Sequence, residues 1–126
     1  MSRLLVVDDE ANIRLLYAEE LKDEGYEVVT AANSAEATEK LQGSTFDLAV
    51  LDIKLKNESG IELLQKLVKE RHDMPVILCS AFSCYKDDFS AWLADGYVVK
   101  SGDLTELKQE IARVLAKKAQ KLKSGL

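Results

Sequence analysis

The chain has 126 residues, of which 47% are hydrophobic and 31% charged, and its formal net charge is −5. That length suits one domain with a real core, and the apolar content excludes a disordered class. The acidic balance argues against a general nucleic-acid binder, which needs a basic face. The charge is uneven, however: "KKAQKLK", Lys117 to Lys123, is basic. It reads first as a solvated helix end with cations favoured by the helix dipole, and second as a contact for an acidic partner.

In chain order, Leu4 to Val7 is a continuous apolar run, as in a strand covered on both faces. Ile13, Leu16, Tyr17 and Leu21 recur at helical spacing, and Gly25 supplies a stop. Tyr26 to Ala31 is strand-like. Asn33 with Glu36 resembles a capping box that opens a short helix to Leu41. Leu48 to Leu51 is a second apolar run and ends on Asp52. Ile61, Leu64, Leu67 and Val68 mark another amphipathic helix. Pro75 opens the run Val76 to Cys79, a position where a strand tolerates proline. A weaker helix is expected around Lys86 to Leu93, then a short strand Tyr97 to Val99, and Lys100. Asp103 and Glu106 read as the next cap. Leu104, Leu107, Ile111, Val114 and Leu115 carry a last helix into the basic tail.

Strands alternating with helices predict an α/β protein: one parallel sheet with helices on both faces. No composition break, linker or repeat suggests a second domain; the expected extent is 1–122 with a tail at 123–126. The start "MSRLLVVDD" has too short an apolar run for a secretory signal, and no segment reaches bilayer length. A cytoplasmic location without membrane insertion is expected. Cys79 and Cys84 are too few for a disulfide scaffold and are expected as reduced thiols. Their spacing, with His72 outside it, makes a poor zinc signal.

Ligand sites in open parallel sheets lie outside the carboxyl ends of the strands. The polar residues there are Asp8 and Asp9 after the first strand, Asp52 after the third, Ser80 after the fourth and Lys100 after the fifth. Neighbouring carboxylates repel by ~1 to 4 kcal/mol at 4 Å for effective dielectrics of about 80 to 20, so something must offset them. Three carboxylates suit an oxygen-seeking cation such as Mg2+. A lysine and a hydroxyl opposite suit a phosphoryl group. Together they describe an aspartate nucleophile attacking phosphorus, with Asp52 as the best candidate and Asp8 and Asp9 better placed to hold metal.

"VVDDE" (Val6 to Glu10), "VLDIKL" (Val50 to Leu55), "ILCSAF" (Ile77 to Phe82) and "DGYVVK" (Asp95 to Lys100) resemble the four signatures of the response-regulator receiver domain, the phosphoacceptor module of bacterial two-component signalling. The resemblance spans nearly the whole chain. It implies a flavodoxin-like, doubly wound five-stranded sheet of order 2-1-3-4-5 with five helices. It implies that Asp52 receives a phosphoryl group from the phosphohistidine of a histidine kinase or histidine phosphotransfer protein. Asp8, Asp9, Asp52 and the backbone carbonyl of Lys54 would hold Mg2+, with Mn2+ as an alternative. Lys100 would pair with the phosphoryl group, and Ser80 would hydrogen-bond one of its oxygens. Tyr97 would be the aromatic that follows the movement of Ser80. Lys54 and Phe82 would flank the approach of water to the phosphoryl group. The protein would be a signalling phosphoacceptor and no further enzyme, a monomer or a phosphorylation-linked weak dimer, switching the surface of its fourth helix, fifth strand and fifth helix toward a protein target.

One departure stands out. The family usually follows its lysine with proline, whereas here Ser101 and Gly102 follow Lys100. The switching surface is therefore expected to be shaped differently. Other readings are a pseudo-receiver that is never phosphorylated, a receiver cut from a longer regulator, a haloacid-dehalogenase-type phosphatase and a flavodoxin. The intact set of Asp8, Asp9, Asp52, Ser80 and Lys100 argues against the pseudo-receiver. Lys54 stands where the phosphatase wants a second aspartate. "DDE" carries the wrong charge for a phosphate-cradling flavin loop.

Overall fold

The apolar runs form strands and the amphipathic stretches between them form helices in the computed structural model, which describes residues 2–55, 58–70, 73–80, 93–100 and 103–124. The order is β1 (Arg3–Val7), α1 (Ala11–Asp23), β2 (Glu27–Ala31), α2 (Ser34–Gly43), β3 (Leu48–Asp52), β4 (Lys54–Leu55), β5 (Glu58–Ser59), α3 (Gly60–Glu70), β6 (Val76–Ser80), β7 (Gly96–Val99) and α4 (Thr105–Ser124). The main sheet has the order β2-β1-β3-β6-β7, and every pairing in it is parallel. Apart from the extra pair β4 and β5, this is the expected order. The helix expected around Lys86 lies, except for Leu93, outside the described residues, as do His72, Cys84 and the Lys100–Ser101 bond. Among the described residues no helix is long and apolar enough to cross a membrane.

Alternation along each strand divides the core between the two faces. Leu5, Val7, Ala49, Leu51, Val76 and Leu78 pack with Ala37 and Leu41 of α2 and with Leu63, Leu64 and Leu67 of α3. Leu4, Val6, Leu48, Val50, Ile77, Cys79 and Val98 pack with Tyr17 and Leu21 of α1 and with Leu107, Ile111 and Val114 of α4. A strand buried on both faces has no polar side to show, which is why these runs read as unbroken apolar sequence.

Local chemistry sets the helix ends. At the end of α1, Tyr26 N–H donates to the Leu21 carbonyl at 3.3 Å and Gly25 N–H to the Lys22 carbonyl at 2.9 Å. This is a Schellman closure, and Gly25 takes its left-handed position at φ 95°. At α2, Asn33 Oδ1 accepts from Glu36 N–H at 2.9 Å. Glu36 reaches back to Ala32 N–H at 2.9 Å, one residue beyond the usual partner in a capping box. At α4, Asp103 Oδ1 accepts from both N–H and Oγ1 of Thr105. The other end of the sheet is held from α4: Arg113 Nη2 donates to the Asp95 carbonyl at 3.0 Å, and Tyr97 N–H donates to the Glu110 carboxylate.

Two features differ from expectation. Leu16 is 36% exposed and Leu15 61%. The buried stripe of α1 runs through Ile13, Tyr17 and Leu21 at steps of four, and Leu16 sits about 100° round the helix from Tyr17. The β4–β5 pair, an antiparallel ladder of Lys54 with Ser59 and Leu55 with Glu58, was not anticipated. Strands of two residues carry no period to read.

A Cβ at Gly25 meets nothing within 4 Å, so only the backbone resists substitution there. Gly25→Ala is expected to lower unfolding free energy by about 1–2 kcal/mol, the cost of a left-handed L-residue. Gly43→Ala, inside α2 with open space and no positive φ, should be neutral or raise stability by up to about 1 kcal/mol. Urea midpoints of the two variants test the pair.

Candidate functional site

The strand alternation that buries Leu4 and Val6, Leu48 and Val50, and Val98 on the α1/α4 face places Asp8, Asp52 and Lys100 next in the same three series. All three lie at the carboxyl edge of adjoining or nearby strands. Lys100 Nζ lies 2.7 Å from Asp8 Oδ2 and 3.0 Å from Asp52 Oδ2. The carboxylates are 2% and 6% exposed, so the lysine bridges two buried anions. Its backbone is fixed too: Lys100 N–H donates to the Ser80 carbonyl at 2.6 Å.

Each carboxylate has a second anchor. Asp8 Oδ1 accepts from Glu10 N–H at 2.9 Å, and Asp52 Oδ1 accepts from Lys54 N–H at 3.2 Å. Burial pushes the Asp52 carboxyl above the usual carboxylate range. Lys100 pulls it down through hydrogen bond and charge, and Asp8 adds to the rise. Burial works against the Lys100 ammonium, but the hydrogen bonds and charges of Asp8 and Asp52 outweigh it and hold the amine protonated above its ordinary range. The two directions are compatible: the pair attracts, and desolvation decides the balance at Asp52.

Asp9 is half-buried beside Asp8, and Glu10 is exposed. The carboxylates of Asp8, Asp9 and Glu10 offer oxygens that all lie within 4.8 Å of one another. An all-oxygen acidic donor set of this kind fits a hard divalent cation. Asp52 is not part of that close group, but shares Lys100 with Asp8. Glu10 was not singled out from sequence; its place directly after the aspartate pair was the available signal. Ser80 is buried at the end of β6, level with Val99 of β7. Tyr97 is half-buried against the α2/α3 side of the core. The Lys54 side chain is exposed, and Phe82 lies outside the described residues.

Two supporting features escaped the sequence reading. Gly60 packs so closely on the end of β3 that a Cβ there would collide with the Asp52 carbonyl oxygen. Its N–H donates to the Ile53 carbonyl at 2.7 Å. Below the carboxylates, Cys79 pairs with Asp52 across the β3–β6 ladder, and its sulfur is 3.6 Å from the Tyr17 hydroxyl. Burial pushes the Cys79 thiol up to about 11, so the group beneath the site is a protonated thiol of low reactivity.

A doubly wound α/β fold with acidic groups and one lysine gathered at the carboxyl edge of its sheet defines the class. The chain belongs to the response regulator receiver domain family, whose model matches residues 4–112. It is similar to the response regulator ArlR of Staphylococcus saprophyticus, with 32% identity over 123 residues, 96% of this chain and 56% of that protein. The chain therefore spans about half the length of the curated relatives it matches. Among solved structures it is similar to the response regulator TrrA of Thermotoga maritima in complex with Mg2+-BeF, at 46% identity and a TM-score of 0.86, covering 90% of this chain and 99% of that one. TrrA in complex with the histidine kinase ThkA matches at 47% identity and a TM-score of 0.85, covering 91% of this chain and 99% of that one. A CheY-like receiver domain from Methanospirillum hungatei matches at 32% identity and a TM-score of 0.89, covering 96% and 98% of the two chains.

The raised pKa of Asp52 has a definite sign for stability. The fold prefers the protonated acid, so stability falls as pH rises from below the unfolded value through the folded one. At pH 7 without metal, Asp52→Asn should stabilise the protein by about 1 kcal/mol, the low end of the ~1 to 4 kcal/mol like-charge repulsion at 4 Å, because the lost Lys100 contact offsets part of the relieved burial and Asp8 repulsion. That gain should shrink as pH is lowered toward 4; thermal melts in EDTA across pH check it. Gly60→Ala should cost about 1–3 kcal/mol through overpacking against the end of β3, read from the same melts at pH 7.

Proposed function

We propose that the chain is the phosphoacceptor receiver of a two-component or phosphorelay system and that Asp52 carries the phosphoryl group. The observation that carries this reading is the Asp52 carboxylate, held at a strand end with one oxygen on Lys100 and the other on the Lys54 N–H. A nucleophile needs a fixed direction of attack, and these contacts supply it. In the transfer, a carboxylate oxygen of Asp52 attacks phosphorus. An O–P bond forms, the N–P bond to the donor's imidazole breaks, and the imidazole leaves with the electron pair. Lys100, already in contact with Asp52, is placed to follow charge onto the phosphoryl oxygens. Ser80 would hydrogen-bond one of them, and Tyr97 would respond to its movement.

Asp8, Asp9, Asp52 and the Lys54 carbonyl would hold Mg2+, or Mn2+ in its place, with Glu10 beside them, and a divalent cation there supplies charge neutralisation for the phosphoryl oxygens. The Mg2+-BeF complex of TrrA and its complex with ThkA support Mg2+ as cofactor and a histidine kinase, or a histidine phosphotransfer protein, as donor. The reading places the protein in the cytoplasm, where ATP-dependent kinases act. Its output would pass through the surface of β7, α4 and the segment before β7 to a protein target.

Incubation with Mg2+ and acetyl phosphate, or with a phosphorylated histidine kinase, should add one acid-stable, base-labile phosphoryl group. Asp52→Asn should remove it; persistent labelling of that variant would place the nucleophile elsewhere. Neither Lys54 nor Phe82 is a carboxylate or amide that could orient an attacking water, so self-dephosphorylation should be slow. The double variant Lys54→Asn with Phe82→Glu should hydrolyse faster than wild type, measured by loss of label from purified phosphoprotein. An unchanged rate would show that these two positions do not set the lifetime of the phosphoryl group.

A further inference from the structure

The acidic turn between β1 and α1 raises a question that the receiver reading leaves open: what holds three consecutive acidic residues with their carboxylates turned together? The backbone shows how. Asp8 N–H donates to the Ala31 carbonyl at 3.1 Å, which fixes the start of the turn to β2. The Asp8 carboxylate accepts from Glu10 N–H at 2.9 Å and closes an Asx turn over Asp9. The remaining polar group of Asp8, its carbonyl, accepts from Arg14 Nη1 at 2.7 Å. The backbone N–H of residue 14 donates to the Glu10 carbonyl at 3.0 Å, the first bond of α1, which any non-proline residue there would make.

We propose that Arg14 is a positioning residue for the metal site: by clamping the Asp8 carbonyl it fixes the Asp8–Asp9 peptide plane and so aims the Asp9 carboxylate. A peptide unit is planar, so holding its oxygen also holds the Asp9 N–H and Cα. The half-buried Arg14 forms no ion pair among the described residues. Its guanidinium addresses the carbonyl instead, and the carboxylate oxygens of Asp8, Asp9 and Glu10 remain grouped within 4.8 Å. Simple charge repulsion would have Arg14 weaken metal binding, whereas bracing has it strengthen binding. The two effects have opposite sign, so they can be separated. The inference rests on the receiver reading for the identity of the metal site.

The experiment titrates the full chain with Mn2+ and follows the electron paramagnetic resonance signal of the free ion, at a temperature where far-ultraviolet circular dichroism shows every variant folded. Arg14→Met should weaken Mn2+ binding by about tenfold, the scale of losing a group that orients a ligand, although it removes a positive charge. Arg14→Lys keeps the charge but lacks the planar fork and should fall between Arg14→Met and wild type. Arg14→Met binding as tightly as wild type, or more tightly, overturns the proposal. If Arg14→Met does not fold, Arg14→Lys decides alone, since affinity equal to wild type would show that only the charge matters. Asp9→Asn separates the two levels. Wild type that fails to bind Mn2+, or binding that ignores Asp9→Asn, overturns the metal reading and the brace with it. Binding that depends on Asp9 but not on Arg14 overturns the brace alone.

Discussion

One ammonium held between two buried carboxylates is the constraint around which the rest of this molecule is arranged. Lys100 contacts Asp8 and Asp52 together, and all three side chains are largely withdrawn from water. Removing Lys100 would leave two uncompensated buried carboxylates, a loss of about 3–5 kcal/mol in comparable cases, whereas removing Asp52 leaves the lysine paired with Asp8. The cluster is short of positive charge even when intact: one cation faces two anions, with Asp9 and Glu10 close by. A metal-free receiver therefore carries a standing electrostatic deficit at the place where a cation and a phosphoryl group would meet. Burial first, and the Asp8 charge after it, raise the pKa of Asp52 against the pull of Lys100.

The sheet makes this arrangement tolerable. Beneath the three charged groups, the same side of each strand continues inward as Val6, Val50 and Val98, so the polar cluster is one layer deep and opens at the sheet edge. Tyr17 and Cys79 form the boundary between charge and core, and their mutual contact gives two buried polar atoms a partner. The site residues come from strand ends and not from long loops. Their backbones are tied into the ladder or just beyond it, and the charged groups keep a fixed geometry.

Much of this was legible in sequence because burial on two faces leaves a simple signature. The runs at Leu4, Leu48 and Val76 could only be covered strands, and a polar residue ending such a run had to lie at the edge of the sheet. Asp8, Asp52, Ser80 and Lys100 were found that way, and the structure brings Asp8, Asp52 and Lys100 into contact. What sequence could not give was geometry that depends on approach. Gly60 looks like any glycine at a helix start until Asp52 is seen against it. Leu16 satisfies a helical period as well as Ile13 does, and only the position of the sheet decides which is covered. Glu10 follows an aspartate pair whose direction is set by hydrogen bonds to Ala31 and Arg14, and those partners lie on a neighbouring strand and on the next helix.

The polar side chains of α4 along β7 have a meaning beyond local stability. A strand at the end of a sheet presents a row of unpaired amides and carbonyls that a foreign strand can join. Here Glu110 takes the Tyr97 amide and Arg113 takes the Asp95 carbonyl. A Cβ on Gly96 would press into the Glu110 carboxylate, 2.7 Å away, so helix and strand lie too close for another backbone to slip between them at that point. The last helix thus acts as a guard rail on the terminal strand. It takes up edge groups of β7 that a foreign strand could otherwise join, at the end of the sheet opposite the charged cluster.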